Sequence, residues 1–348
     1  MPEKKKQHYV PKQYLKFFSN FEQRTHVRLY NLRTKLYLKS ASIDGQNQKD
    51  YFYGKTPDIE NAFAEFETRT CDIIREIIQT NSLPTHESDD YWCLLVYVMY
   101  QQNRTQLSAL KIEKLLNQVT LKMLKDRFVP TSEIQEIKQQ FEYPGIASLE
   151  NVPELIDAVS DLKCKLLINK TKHSFITSDH PVVKWNQFLN KRKYHDPRVG
   201  FNLKGLKLFF PISPNIMLMY YDRDIYTFEN ETDSVDIFNE RDVWILNLIQ
   251  TYTCNELVFF NQTIDEVYIN RLFDEQLKIQ LKINKLIEDY CKKKNTRIHL
   301  NEIQKENLIM EHIGVLSFIT EHSQVKQLSF TNPVDYIRSR KNFTTKKQ

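Results

Sequence analysis

Seven side chains in this chain of 348 residues combine types that hydrolytic chemistry uses. Asp179 and His180 stand side by side in the stretch SFITSDHPVV, Ser174 to Val183, directly after Ser178. A carboxylate at such a place can hold a divalent ion or take a proton, and an imidazole can ligate or shuttle one. Arg104 ends the run Gln101-Gln102-Asn103-Arg104, and its planar fork suits a phosphate or carboxylate better than a lysine would. Glu67 and His8 complete the set. Read as an enzyme, Asp179 with Glu67 or His180 would hold Mg²⁺ or Mn²⁺ to activate water. His8 would join Asp179 and His180 in catalysis, while Arg104, Gln101 and Ser178 would contact the substrate. The same residues also have plain structural uses. An aspartate in a turn caps backbone N–H groups. A histidine before proline shapes the turn, and a half-buried Glu67–Arg104 pair is a clamp.

The elements that would position these groups follow from periodicity. Phe175 to Thr177 and Val182-Val183 are short β-branched or aromatic runs broken by Ser178-Asp179-His180-Pro181, which reads as strand, tight polar turn, strand. Pro11 suits the first turn of a short helix carrying Tyr14, Leu15 and Phe18, with His8 in the extended segment before it. Val27–Leu32 and Leu36–Leu38 form a hairpin, and 40–55 is a polar loop. In the helix after Pro57, Ile59, Phe63, Phe66, Thr70, Ile73 and Ile77 make one stripe. Glu60 and Glu67 border that stripe two turns apart, roughly 10 Å along the axis, so they cannot share one ion. The next helix, from Ser88 or Asp89 to about Thr105, is apolar all round and so buried, and it delivers Gln101 and Arg104 at its C-terminal end.

Two further amphipathic helices are expected near 108–126 and 132–141, and another near 152–163. Strand character then takes over: 166–169 with 174–178 as a hairpin, then 206–210, 216–221 and 257–260. Pro211-Ile212-Ser213-Pro214 bends the meander, and a helix is expected near 234–251. A helix near 264–292 follows. The fold class is α+β, mainly an antiparallel sheet with an inserted helical block and a long C-terminal helix. That sheet is expected to join the N-terminal hairpin to the strands after Leu166. The expected domain runs over 1–295, with the helical insertion at about 57–163. Residues 296–348 form an extension with a basic, disordered end.

Composition narrows the function classes. With 6 glycines the chain has no GxxxxGK[ST] or GxGxxG, and GxSxG, HExxH and an EF-hand loop are absent too. Asp179 lacks the Glu-x-Lys on a following strand that a common nuclease pattern requires. The five cysteines are dispersed, odd in number and without a CxxC pair, so neither a disulfide framework nor a zinc knuckle is indicated. The longest apolar run, Tyr91 to Tyr100, is about half a bilayer crossing. With no apolar h-region after Met-Pro-Glu-Lys-Lys-Lys, a cytoplasmic protein is expected. The net charge of +5 tolerates a polyanion, and the basic loop Lys191–Arg198 and the Lys/Arg tail are where nucleic acid would be held.

HYVPKQYL near the start, FITSDHPVV and FPISP together resemble a bacterial family of unknown function, over roughly residues 7–261. The Glu60–Glu67 helix and the Gln-Asn-Arg end of the buried helix fall where that family has polar signature positions. The resemblance selects residues and implies no reaction, cofactor or fold. Two functional readings therefore stand: a metal-dependent hydrolase, phosphodiesterase or nuclease, centred on Thr177–Pro181, and a non-catalytic nucleic-acid or protein binding module in which the polar cluster is structural.

Overall fold

The runs KLFFPIS and IMLMYY, residues 207–213 and 216–221, carry apolar side chains at both odd and even positions, so both faces of these strands must be covered. The computed structural model describes residues 5–19, 22–56, 58–125, 132, 135, 142–192, 199–294, 302–326 and 333–338, and it covers them from two sides.

The chain opens with β1 (Lys6–His8), α1 (Lys12–Leu15), β2 (His26–Asn31), β3 (Leu36–Ser42) and β4 (Gln48–Asp50). The helical block comprises α2 (Asp58–Thr80), α3 (Asp89–Asn103), α4 (Gln106–Lys125), α5 (Pro144–Ala147) and α6 (Val152–Val159). Then come β5 (Lys163–Asn169), β6 (Thr177–Ser178), β7 (Val183–Trp185), α7 (Gln187–Lys191), β8 (Lys207–Ser213) and β9 (Ile216–Tyr221). The last part holds β10 (Tyr226–Thr227), β11 (Ser234–Ile237), α8 (Glu240–Thr253), β12 (Leu257–Phe260) and α9 (Glu266–Lys294). It ends with α10 (Glu302–Ile313), β13 (Thr320–Glu321) and α11 (Ser323–Lys326). The architecture is α+β, with α9 as the long C-terminal helix.

The larger sheet runs β11-β5-β9-β8-β7, antiparallel except for the parallel β11–β5 pair. Alternation along each strand sorts its side chains between two cores. Leu208, Phe210, Leu218 and Tyr220 pack with Phe63, Ile73 and Ile77 of α2 and Leu94 and Val98 of α3. Phe209, Met217 and Met219 pack on the opposite side with Val243, Leu246 and Ile249 of α8, Ile269 and Leu272 of α9, and Met310 and Ile313 of α10. Helix α3 is buried most of the way round, as its uninterrupted apolar run requires, and Ser88 caps it by accepting from the Tyr91 N–H.

The second sheet runs β3-β2-β12-β6. The N-terminal hairpin thus joins two of the strands after Leu166, β12 and β6, as expected, while β5, β7, β8, β9 and β11 form the separate larger sheet. The expected 166–169/174–178 hairpin is replaced. Asn169 ties the turn by accepting from the Thr171 N–H and donating to the His173 carbonyl, but the chain then leaves β5 and β6 pairs with β12. β5 takes β9 and β11 as neighbours on its two edges, and its faces enter the two cores through Leu166 and Ile168 on one side and Leu167 on the other. Residues 234–237 are strand rather than helix, and α8 starts only after Asn239, whose side chain accepts from the Arg241 N–H. The 40–55 loop contains β4, which pairs with β1. The expected helix near 132–141 lies outside the described residues except for residues 132 and 135. The basic tail, residues 339–348, lies outside them entirely.

Candidate functional site

The Ser178–Pro181 turn joins the two sheets: β6, before it, belongs to the four-stranded sheet, and β7, after it, to the five-stranded one. Its polar side chains turn inward, leaving Ser178, Asp179 and His180 all at most 4% exposed. Asp179 is held on the approach to β12. Its Oδ1 accepts from the Asn255 N–H at 2.8 Å, and its Oδ2 accepts from Glu256 at 2.7 Å and Leu257 at 3.0 Å. The Asp179 N–H in return donates to the Leu257 carbonyl. Burial pushes the carboxyl up to about 6, while the three backbone donors pull it back towards the ionised form.

His180 lies against the C-terminal end of α3. Its Nε2 faces the Gln102 amide nitrogen at 3.1 Å and its Nδ1 faces the Thr105 hydroxyl at 2.7 Å. With Gln102 donating, Nε2 accepts and Nδ1 carries the proton, a tautomer that follows from the assigned amide orientation. Burial, and behind it Lys111 and Lys184, hold the ring neutral by lowering its pKa to about 3. From the other side α8 grips the turn's backbone. Gln250 donates to Ser178 Oγ at 2.6 Å and to the His180 carbonyl at 3.0 Å, and Asn247 accepts from the Ile176 N–H and donates to the Ser174 carbonyl.

The end of α3 is a hub in which successive residues hold different segments. Gln101, fully buried, donates to the Tyr9 carbonyl. Arg104, 2% exposed, donates to Glu67 Oε1 at 2.6 Å and to the His8 carbonyl at 3.1 Å, and its guanidinium lies 4.3 Å from the centre of the Phe63 ring. The contact to His8 thus goes through the backbone. The His8 imidazole is a separate group whose pKa is lowered to about 4, mainly by burial, with Nε2 buried and without a hydrogen-bond partner. Gln101, Arg104, Glu67 and His8 meet at one place, and His180 at the neighbouring Gln102 and Thr105. Asp179 is engaged with residues 255–257 on the far side of the turn. Among the described residues, no group of three or more His, Cys, Asp or Glu is placed to hold a metal ion.

The Glu67–Arg104 pair gives a direct test. Glu67→Ala leaves a buried guanidinium without its carboxylate partner. Because Glu67 is itself partly exposed, the expected loss is about 2–3 kcal/mol, below the roughly 3–5 kcal/mol of a fully buried pair. Urea denaturation measures it, and a loss below about 1 kcal/mol would remove the clamp.

The three sequence motifs converge on one hydroxyl. Tyr14 Oη lies 2.6 Å from Thr177 Oγ1 and donates to the Pro211 carbonyl at 2.6 Å, while its ring stacks on Phe210 at 5.0 Å. The register shift between Pro211 and Ser213 bends β8 just where that carbonyl is used. HYVPKQYL, FITSDHPVV and FPISP are thus segments of one packed junction. The family model described as Protein of unknown function (DUF4238) matches residues 6–263. The chain belongs to that family. No curated protein and no solved structure matches it. The match to DUF4238 spans every contact of the junction and ends shortly after β12, so α9 and α10 lie beyond it. Tyr14→Phe, which leaves the Thr177 hydroxyl and the Pro211 carbonyl unpaired, is expected to cost about 1–3 kcal/mol, read as a lower urea midpoint at unchanged slope.

Beside the turn a cleft of about 300 Å³ opens, with Gln102 and His180 in its floor. Leu107, Val182, Tyr252, Ile309 and Met310 supply apolar wall, and Lys111, Lys184 and Lys305 bring three ammonium groups. Sequence reading did not single out Gln102, Thr105, Gln250 or these lysines. Gln102 stood in the quoted Gln-Gln-Asn-Arg run, but only the fold shows that it, rather than Gln101, meets His180. No helix among the described residues is long and apolar enough to cross a membrane.

Proposed function

We propose that this protein is a binding module rather than a hydrolase, with the signature turn as its structural junction and the adjoining cleft as its ligand site. The hydrogen bonding of Asp179 carries this reading. Both carboxylate oxygens already accept from backbone N–H groups, three in all, which occupies three of about four lone-pair sites, and among the described residues no group of three or more His, Cys, Asp or Glu is placed to complete a metal site. The second carboxylate of the hydrolase reading, Glu67, is bound to Arg104. His180, neutral down to acidic pH, is no general acid at pH 7.

The described part of the basic loop gives little support to a nucleic-acid grip there. Lys191 and Arg192 both pair with Glu321 of β13, at 3.2 and 3.0 Å, and Arg192 also lies over the Phe188 ring. Lys193 and Arg198 are outside the described residues, as is the tail. The cleft lysines are the better-supported cationic surface.

The deciding experiment incubates the wild-type protein with DNA, RNA and a generic phosphodiester, with and without Mg²⁺ or Mn²⁺. A variant, Asp179→Asn, is followed in parallel by melting temperature. No metal-dependent cleavage by the folded wild type, with a lower melting temperature in the variant, is the expected result. Metal-dependent cleavage that is lost in a variant melting as high as wild type would establish the hydrolase instead.

A further inference from the structure

We propose that the cleft over His180 binds a phosphorylated planar small molecule of the nucleoside 5′-monophosphate class; this names the ligand for the binding-module reading and rests on it. Three features of the cleft specify that chemistry. At its floor, Gln102 is 6% exposed and its Oε1 is buried without a hydrogen-bond partner, because the amide nitrogen is the group turned towards His180. A buried amide oxygen of that kind calls for an N–H or O–H donor. His180 cannot supply a donor while it accepts from the same amide, so a ligand N–H that reaches this floor would satisfy an acceptor that no described residue serves. The walls are apolar, with Val182 and Met310 facing the cleft and the Tyr252 hydroxyl donating away from it to the Gln276 carbonyl. A ring that is flat, largely apolar and edged with N–H groups meets floor and wall together.

The rim sets the charge. Lys111 and Lys305 are exposed and come from different elements, α4 and α10, while Lys184 of β7 lies with its ammonium 4.4 Å from the centre of the Phe201 ring. Lysine ammonium groups act on phosphate as point charges with rotatable donors, so they need no fixed fork geometry. A phosphate monoester carries close to two negative charges at neutral pH, which two mobile rim lysines balance. The volume, at the small end for ligand sites, suits one nucleotide. Because Lys305 is on α10, the site needs both the helical block and the segment beyond the family match.

Isothermal calorimetry on the full chain tests this with the four nucleoside 5′-monophosphates, the matching nucleosides and inorganic phosphate, in low and in 0.5 M salt (about a fivefold or greater change in Debye screening from millimolar buffers). At least one monophosphate is expected to bind at least about tenfold more tightly than its nucleoside or inorganic phosphate, and to weaken in high salt. Lys111→Glu and Lys305→Glu, both exposed substitutions, are each expected to weaken it about tenfold or more at unchanged melting temperature. Gln102→Leu is expected to lower discrimination among the bases. No binding of any monophosphate, binding indifferent to both lysine substitutions, or tighter binding of a single-stranded oligonucleotide than of every monophosphate would each overturn the proposal. Those failures leave the binding-module reading standing, because that reading is tested separately by metal-dependent cleavage and by the stability of the Asp179 and His180 variants.

Discussion

Asp179→Ala is expected to destabilise the protein by about 4 kcal/mol in urea denaturation, because it strands three backbone N–H groups that cost about 1–3 kcal/mol each when unpaired and buried. The effect comes from the approach to β12 rather than from the turn alone. Asn255, Glu256 and Leu257 present their N–H groups to one side chain, and that side chain sits on the residue that also donates to the Leu257 carbonyl. Removing the carboxylate therefore frees both the end of β6 and the start of β12, the only strand pairing that ties the turn to the four-stranded sheet among the described residues. Some relaxation will admit water, which is why the sum is smaller than three full penalties. Asp179→Asn separates the charge from the shape. Its amide keeps one acceptor oxygen but turns N–H groups towards at least one backbone donor, so an intermediate loss is expected. If Asp179→Ala and Asp179→Asn both unfold at the wild-type midpoint, the carboxylate does not hold this junction and a chemical role for it returns.

How much of this was legible beforehand depends on whether the partners of a residue carry a side-chain signature. The α2 stripe, the all-round apolar α3 and the β2–β3 hairpin were readable because local periodicity decides them. The polar turn was readable as a place, since Pro181 and a run of short polar residues stop any strand. That its two flanks belong to different sheets was not readable, because β6 finds β12 some eighty residues away and strand pairing over that distance leaves no local pattern. The partners of Asp179 were hidden for a related reason: they are backbone N–H groups, which every residue but proline has. Arg104 illustrates the converse. A buried guanidinium needs a carboxylate, Glu67 lay on a stripe border, and the clamp reading could be weighed from sequence because both partners are side chains. Gln102 and His180 fall between these cases. Both were visible, but which of two adjacent glutamines met the histidine depended on how α3 is rotated against the turn.

The second large effect is a pH dependence, and His180 controls it. A histidine with an ordinary value near 6.5 in the unfolded chain and about 3 in the folded one binds its proton more readily when unfolded. Its contribution to stability is therefore fully present above about pH 6.5 and is lost as pH falls towards 3. Within that window the slope is about 1.4 kcal/mol per pH unit for one proton, so the term amounts to several kcal/mol at the acidic end. His8, lowered to about 4, adds a slope of the same sign over a narrower range. Asp179 works against both, because a carboxyl raised to about 6 makes the folded state the better proton binder between about 4 and 6, and stability then falls as pH rises. A wild-type profile alone mixes these groups with others, among them Asp222, raised by burial, so the informative quantity is a difference. His180→Gln keeps a neutral polar group against Gln102 and removes one titration. Between pH 4.5 and 6, where the protein is still folded, unfolding free energies from urea titrations should rise with pH more shallowly in the variant, by about 1.4 kcal/mol per unit. His8 and Asp179 contribute equally to both proteins and cancel. Equal slopes would mean that His180 titrates near its ordinary value in the folded protein. In that case the imidazole would be poised to exchange protons at neutral pH, and its contacts with Gln102 and Thr105 would have to be read as those of an acid–base group rather than of a structural one.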